Sequence, residues 1–83
     1  MESVTDLTVR QIGRTASMVM QRNVDVTATS DIGHDLGVDS LTLMNIVMEL
    51  EDALELSIPL DRLADVQTVG DLAALINELR ARA

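Results

Sequence analysis

Cysteine, lysine and all three aromatic residues are missing from this chain of 83 residues, and histidine occurs once. Without cysteine the chain forms neither disulfides nor thiolate metal sites, and a lone histidine excludes a site built from several. Without aromatic rings it lacks a platform on which nucleic acid bases stack, and its core must be aliphatic. No apolar run approaches the roughly 20 residues that span a bilayer, and no signal peptide is evident. We therefore expect a soluble, cytoplasmic protein with no membrane partner.

Basic residues are also scarce. The chain has fourteen acidic residues and six arginines, which gives a net charge of −8. Residues 25–71 hold eleven of the acids and a single base, Arg62. A field of this sign repels nucleic acid and anionic lipid, and it attracts basic protein surfaces. The acids either keep a small protein dissolved or mark a surface for a basic partner. A chain of this length is expected to form one domain, residues 1–83, and a monomer.

Apolar residues recur at helical spacing in the first and last parts of the chain. In residues 4–21, one face of about 100° holds Thr5, Val9, Ile12, Ala16, Val19 and Met20. In residues 69–81, one face holds Val69, Leu72, Ala73, Ile76 and Leu79. Thr68 precedes this last helix and Asp71 lies in its first turn, which is the spacing of a capping box. A single helical turn is expected over residues 60–65, after Pro59.

Residues 40–55 give the clearest predicted helix. Its core face holds Leu43, Ile46, Val47, Leu50 and Leu54. Asp39 is expected to cap this helix, because its carboxylate can accept the free N–H groups of the first turn. The preceding residues, 22–39, show no period and predict a long loop. Five apolar residues should hold that loop to the core: Val24, Val26, Ile32, Leu36 and Val38. The sequence thus predicts an all-α fold, a small bundle of three main helices and one short helix.

The outer face of the predicted helix over residues 40–55 is unusually apolar. Leu41, Met44 and Met48 lie about 100–160° from the core axis, mixed with acids. Those acids are Glu51, Asp52 and Glu55. Either the helix is buried on two sides, or this face binds a partner, a use for which methionine is well suited.

Conventional catalysis has little support in the sequence. A nucleophilic serine needs a base, and His34, in the loop, is the only neutral one. A set of Ser40, His34 and an aspartate can be written, but nothing supplies an oxyanion hole or a substrate cleft. No segment has the spacing of a calcium-binding EF-hand, so no metal site is expected.

Ser40 stands at the start of the predicted helix, after a glycine that permits an unusual turn. The free N–H groups and the helix dipole would stabilise an anionic group on its hydroxyl. Two interpretations follow from the residues alone. Ser40 either assists capping, or it is an exposed hydroxyl suited to carry a phosphate beside a docking surface.

Residues 35–41, Asp-Leu-Gly-Val-Asp-Ser-Leu, resemble the phosphopantetheine attachment motif of acyl carrier proteins. The resemblance continues through residues 46–52, Ile58–Pro59 and residues 68–72, and covers about residues 26–80. Asp-Ser-Leu by itself is a weak signal. Together with the following helix, the Ile-Pro pair and the Thr-Val-Gly-Asp segment at matching spacing, it becomes a strong one, and it favours the second interpretation of Ser40.

The resemblance implies a four-helix carrier, not an enzyme, in which a phosphopantetheinyl transferase attaches phosphopantetheine from coenzyme A to Ser40. The thiol of this arm holds acyl groups as thioesters in the family. The resemblance also implies that Asp39 helps the transferase engage, near its magnesium ion. The helix after Ser40 would recognise partner enzymes through Leu41, Met44, Met48, Glu51, Asp52 and Glu55. Besides the transferase, the implied partners are an acyl- or aminoacyl-loading ligase or an acyltransferase, and synthases or tailoring enzymes.

Several positions depart from the carriers of fatty acid synthesis. These usually have acids two and five residues after the serine, where this chain has Thr42 and Asn45, and phenylalanines where it has Ile32 and Leu54. The departures favour a stand-alone carrier of a specialised, polyketide-type pathway. An aminoacyl or peptidyl carrier and a fatty acid carrier stay open, and a non-covalent acidic interaction module is the alternative from another class.

Overall fold

The computed structural model describes residues 3–82, which form the four helices α1 (Val4–Met20), α2 (Ser40–Leu54), α3 (Leu60–Leu63) and α4 (Val69–Arg82). The all-α prediction is confirmed, and the only strand-like feature in residues 3–82 is an isolated antiparallel bridge between Asp31 and Thr68. Met1, Glu2 and Ala83, which the expected domain includes, lie outside the described residues. Of the helices in the described part of the chain, none combines the length and the apolar character that crossing a membrane requires.

Helix α1 begins at a capping box and packs against both α2 and α4. The Ser3 hydroxyl accepts a hydrogen bond from the Asp6 amide at 3.0 Å, which satisfies a free N–H group of the first turn. The predicted inner face is buried at Val9, Ile12 and Ala16, with Val19 and Met20 packed at its edge. The expectation was wrong for Thr5, which is exposed because it lies in the first turn, at the end of the packed region.

The core lies where α1, α2 and α4 meet. Its most deeply buried large side chains are Val47, Leu50, Val69, Leu72 and Ile76. All of these were predicted on inner faces from helical spacing, whereas the burial of Leu75 was missed. A hydrogen bond of 2.7 Å from the Thr8 hydroxyl to the Asn77 side-chain oxygen also joins α1 to α4.

The long connection between α1 and α2 is fastened to the start of α4. Ala28 and Ser30 accept hydrogen bonds from the amides of Gly70 and Val69 at 2.8 and 2.9 Å. These carbonyls satisfy N–H groups that a helix start leaves free. Four of the five apolar residues expected to hold the loop are buried, and the fifth, Val26, packs against the core. The loop is therefore a fixed part of the fold.

The predicted capping box at the start of α4 is also present. The Asp71 amide donates to the Thr68 hydroxyl at 3.0 Å, and the Thr68 amide donates to the Asp71 carboxylate at 3.0 Å. The Thr68 amide, together with the Gln67 amide, holds the pKa of Asp71 below its usual value, because both amides donate hydrogen bonds to the charged carboxylate.

Helix α3 is the single turn that the sequence predicted, and Leu63 is its buried residue. Arg62 forms an ion pair of 2.8 Å with Glu78, which ties α3 to α4.

The contact between Gly70 and Ala28 leads to a prediction about stability. A Cβ atom at residue 70 would lie 2.6 Å from the Ala28 carbonyl oxygen, which cannot withdraw without losing its hydrogen bond. Gly70→Ala should therefore lower the free energy of unfolding by about 1–3 kcal/mol, despite the higher helix propensity of alanine. Urea unfolding measures this change. Gly33→Ala is the control, because its Cβ would meet no atom of the described residues closer than 3.8 Å. Equal stability of the two variants would contradict the prediction.

Candidate functional site

Ser40 is the first residue of α2, and its side chain is exposed. The predicted cap is confirmed, since the Asp39 carboxylate accepts a hydrogen bond from the Thr42 amide at 2.8 Å. Within residues 3–82 the Ser40 hydroxyl makes no hydrogen bond. Asp39 therefore performs the capping that was one interpretation of Ser40, and the Ser40 hydroxyl remains open to solvent.

Asp39 places a negative charge beside this hydroxyl. Thr42 holds the pKa of Asp39 below its usual value. Its amide has the largest effect and its hydroxyl the second largest. The carboxylate is consequently ionised at neutral pH. A free hydroxyl next to a fixed carboxylate is thus displayed at a helix start.

The turn that leads into α2 depends on Gly37, whose φ angle is +67°. A Cβ atom there would meet no atom of residues 3–82 within 4 Å, so the requirement for glycine is the left-handed backbone conformation and not a lack of space. On one side of this turn, the Leu36 carbonyl accepts a hydrogen bond from the Arg22 guanidinium at 2.9 Å. On the other, the Val38 amide donates to the Ile32 carbonyl at 3.2 Å. These two bonds fix the turn that presents Ser40.

Asp31 organises the preceding segment, a role that the sequence analysis missed. Its carboxylate accepts hydrogen bonds from the His34 amide at 2.7 Å and from the Gln67 side chain at 3.0 Å. The Asp31 amide in turn donates to the Asp35 carboxylate at 2.7 Å. These bonds, with the His34 amide contributing most at Asp31, lower the pKa of both aspartates. The sequence did contain a signal for this role, because Asp31 precedes His34 by three residues, a spacing at which an aspartate can accept a hydrogen bond from a backbone amide in a turn.

His34 faces solvent, with 90% of its side chain exposed. Its ring nitrogen lies 3.3 Å from the Asp35 carboxylate. The structure thus pairs this histidine with an aspartate of its own loop. In the described residues, no group of three or more acids and histidines is arranged to hold a metal ion.

The apolar part of the α2 outer face is only partly exposed. Leu41 and Met48 are 72% and 58% exposed, as expected for a docking surface. Met44, predicted on the same face, is partly buried against the core. Met44 lies about 60° around the helix from Val47, so it borders the inner face. Leu60 of α3 is also an exposed large apolar residue, at 66%.

The acids on this face divide into two kinds. Asp52 and Glu55 are exposed, as predicted. Glu51 is partly buried, and its carboxylate accepts a hydrogen bond from the Ile58 amide at 2.7 Å. Glu51 therefore fastens the connection between α2 and α3, a role that helical spacing could not reveal.

The chain matches the family model described as the phosphopantetheine attachment site over residues 5–76. It is 63% identical over 83 residues to a Caulobacter vibrioides protein named "Probable acyl carrier protein", covering 100% of this chain and 96% of that one. It is 36% identical over 77 residues to the acyl carrier protein of Streptococcus pneumoniae, covering 93% and 90%.

A solved structure has the same arrangement of helices. The holo acyl carrier protein of Geobacter metallireducens superposes with a TM-score of 0.79 at 26% identity, covering 90% of this chain and 87% of that one. The family match spans most of the chain, and its range, residues 5–76, includes the helix start that displays Ser40. The chain therefore belongs to the acyl carrier protein family, and it is a phosphopantetheine carrier rather than an enzyme.

Proposed function

We propose that Ser40 carries the phosphopantetheine arm. The observation that supports this most directly is its exposed hydroxyl, which makes no hydrogen bond within residues 3–82 and stands at the start of α2. A phosphodiester there would lie at the positive end of the helix dipole, which stabilises anions. Asp39 is the neighbouring carboxylate, and we propose that it engages the magnesium-bearing site of the transferase.

The covalent step takes place in the transferase. The Ser40 oxygen attacks the phosphorus that bears pantetheine in coenzyme A, the pyrophosphate bond breaks, and the nucleotide leaves as adenosine 3′,5′-bisphosphate. The hydroxyl proton is accepted by a base that the transferase supplies. When attached, the arm supplies the thiol on which acyl groups are held as thioesters.

The chain itself holds and presents the cargo. As an acyl carrier protein it works with a phosphopantetheinyl transferase and with enzymes that handle acyl groups. Covalent attachment raises the effective concentration of an intermediate near each enzyme. We propose a docking face on α2 formed by Leu41, Met48, Asp52 and Glu55, in which the apolar residues are buried against a partner. The two acids steer the approach of a basic surface.

The pathway is proposed from the departures near Ser40. Thr42 and Asn45 occupy positions that are acidic in carriers of fatty acid synthesis, which favours a specialised, polyketide-type pathway. Loading assays with separate acyl and aminoacyl ligases would distinguish this cargo from an amino acid.

Incubation with coenzyme A and a phosphopantetheinyl transferase of broad specificity tests the proposed function. Intact mass spectrometry should show the gain of one phosphopantetheinyl group, and peptide mapping should place it on Ser40. A chain that stays unmodified while binding basic proteins would instead be the non-covalent interaction module.

Met48→Ala should weaken docking without weakening the fold. Because Met48 is 58% exposed, its truncation should change the melting temperature little. Loss of an apolar anchor costs about 1–2 kcal/mol of binding, so the KM of the transferase should rise about 5- to 30-fold. Met18→Ala is the matched control, since Met18 of α1 is 59% exposed and lies outside the docking face. Equal effects of the two variants on KM would show that Met48 is not an anchor.

A further inference from the structure

Helix α1 bears a second exposed apolar stripe, away from the docking face. Val4, Leu7 and Met18 are 65%, 54% and 59% exposed. With Gln11 and Arg14 they lie within an arc of about 80° at spacings of three and four residues. Gln11 and Arg14 lie between Leu7 and Met18, so this exposed face of α1 is apolar at its two ends and polar in the middle.

This stripe borders a groove between α1 and the C-terminal part of α2. One cleft, of about 470 Å³, is lined by Leu7, Leu54 and Arg80, among others. A second, of about 260 Å³, is lined by Met18 and Ala53, among others. Gln11 and Arg14 line both clefts, which therefore lie next to each other along α1. We name the two clefts together the α1 groove.

The α1 groove differs from the docking face in charge. Arg14 and Arg80 are exposed at the groove, and neither forms an ion pair within residues 3–82. Among residues 3–82, Glu49 is the one acid that lines these two clefts. The docking face, in contrast, has the exposed acids Asp52 and Glu55. The groove is thus suited to a partner with negative charge.

The groove also lies far from Ser40 along α2. Ser40 begins this helix and Leu54 ends it, a separation of about 20 Å along the helix axis at about 1.5 Å per residue. A partner in the α1 groove would therefore leave Ser40 uncovered. The stripe from Val4 to Met18 has a similar length and matches about four turns of a helix.

We propose that the α1 groove binds an acidic amphipathic helix of another protein, while the docking face remains available to enzymes. Apolar residues of that helix, at spacings of three and four, would pack on Leu7, Met18 and Leu54. Its acids would pair with Arg14 and Arg80. A membrane surface fits less well, because the groove is concave and a net charge of −8 is repelled by anionic lipid. The proposal does not depend on modification of Ser40.

Selection from a library of randomised helical peptides tests this proposal. The library is panned on the wild-type protein after depletion on the Arg14→Glu/Arg80→Glu variant. The expected peptides are acidic and amphipathic, and their affinity should fall at least about tenfold for the variant and for Leu7→Ser. Asp52→Arg is the control on the docking face and should not weaken binding. Melting curves of all variants establish that they are folded.

Two further measurements decide the outcome. Amide chemical shifts of the wild-type protein should change along α1 and at the end of α4 when a selected peptide binds, with little change near Ser40. The proposal is overturned if no selected peptide depends on Arg14 and Arg80, or if the shifts lie on the docking face. It is also overturned if vesicles containing phosphatidylglycerol bind the protein through Arg14 while the peptides do not.

Discussion

Replacing Ser40 with alanine should abolish transfer of the phosphopantetheinyl group, and with it every acyl-carrying function. The phosphodiester requires an oxygen nucleophile at this position, and alanine has none. The fold should survive, because Asp39 caps α2 and the Ser40 hydroxyl makes no hydrogen bond within residues 3–82. We expect the free energy of unfolding to change by about 0.5 kcal/mol or less. Intact mass after incubation with coenzyme A and a transferase measures loading, and a circular dichroism melt measures stability.

Ser57→Ala is the matched control for this experiment. Ser57 is also exposed, but it lies in the connection between α2 and α3 and not at a helix start. The control should load like the wild-type protein. Modification that persists in Ser40→Ala would assign the arm to another residue, and gross unfolding of that variant would mean that Ser40 has a structural role.

Features that depend on neighbours in the sequence were predicted well. Helical spacing placed Val47, Leu50 and Ile76 in the core, because a period of 3.6 residues reports the direction of a side chain around its own axis. The caps at Asp39 and Thr68 were also predicted, since a capping side chain and the amides that it binds lie within three residues of each other.

Features that depend on which element covers a residue were not predicted. Met44 borders the inner face of α2, and only the packing of the whole bundle decides how far it is buried. The bond from Glu51 to the Ile58 amide exists because the chain turns back after α2. The approach of Gly70 to Ala28 joins segments that are distant in sequence. For the candidate site, the sequence therefore indicated Ser40 and Asp39, but not the contacts of Asp31 and Arg22 that hold the turn before them.

Leu50→Ala should produce the largest loss of stability among the variants considered. Leu50 lies in α2 with 0% of its side chain exposed, so truncation leaves a cavity in the centre of the bundle. Such substitutions cost about 2–5 kcal/mol. A domain of this size has a free energy of unfolding of about 4–12 kcal/mol, so the variant should lose a large part of it. Urea unfolding followed by circular dichroism measures the loss, with unchanged m-values as the sign that the folded state is intact.

Leu41→Ala provides the matched control, because it makes the same substitution on the same helix at a side chain that is 72% exposed. Its cost should be about 0.5 kcal/mol or less. Leu54→Ala should lie between the two, since Leu54 is only partly buried against the core. If Leu50→Ala unfolds at the same urea concentration as Leu41→Ala, the assigned core face of α2 is wrong.

At temperatures where it remains folded, Leu50→Ala should still accept the phosphopantetheinyl group. The Asp39 cap and the exposed Ser40 hydroxyl lie at the N-terminal end of α2, away from the cavity at Leu50, and they form no hydrogen bond with Leu50.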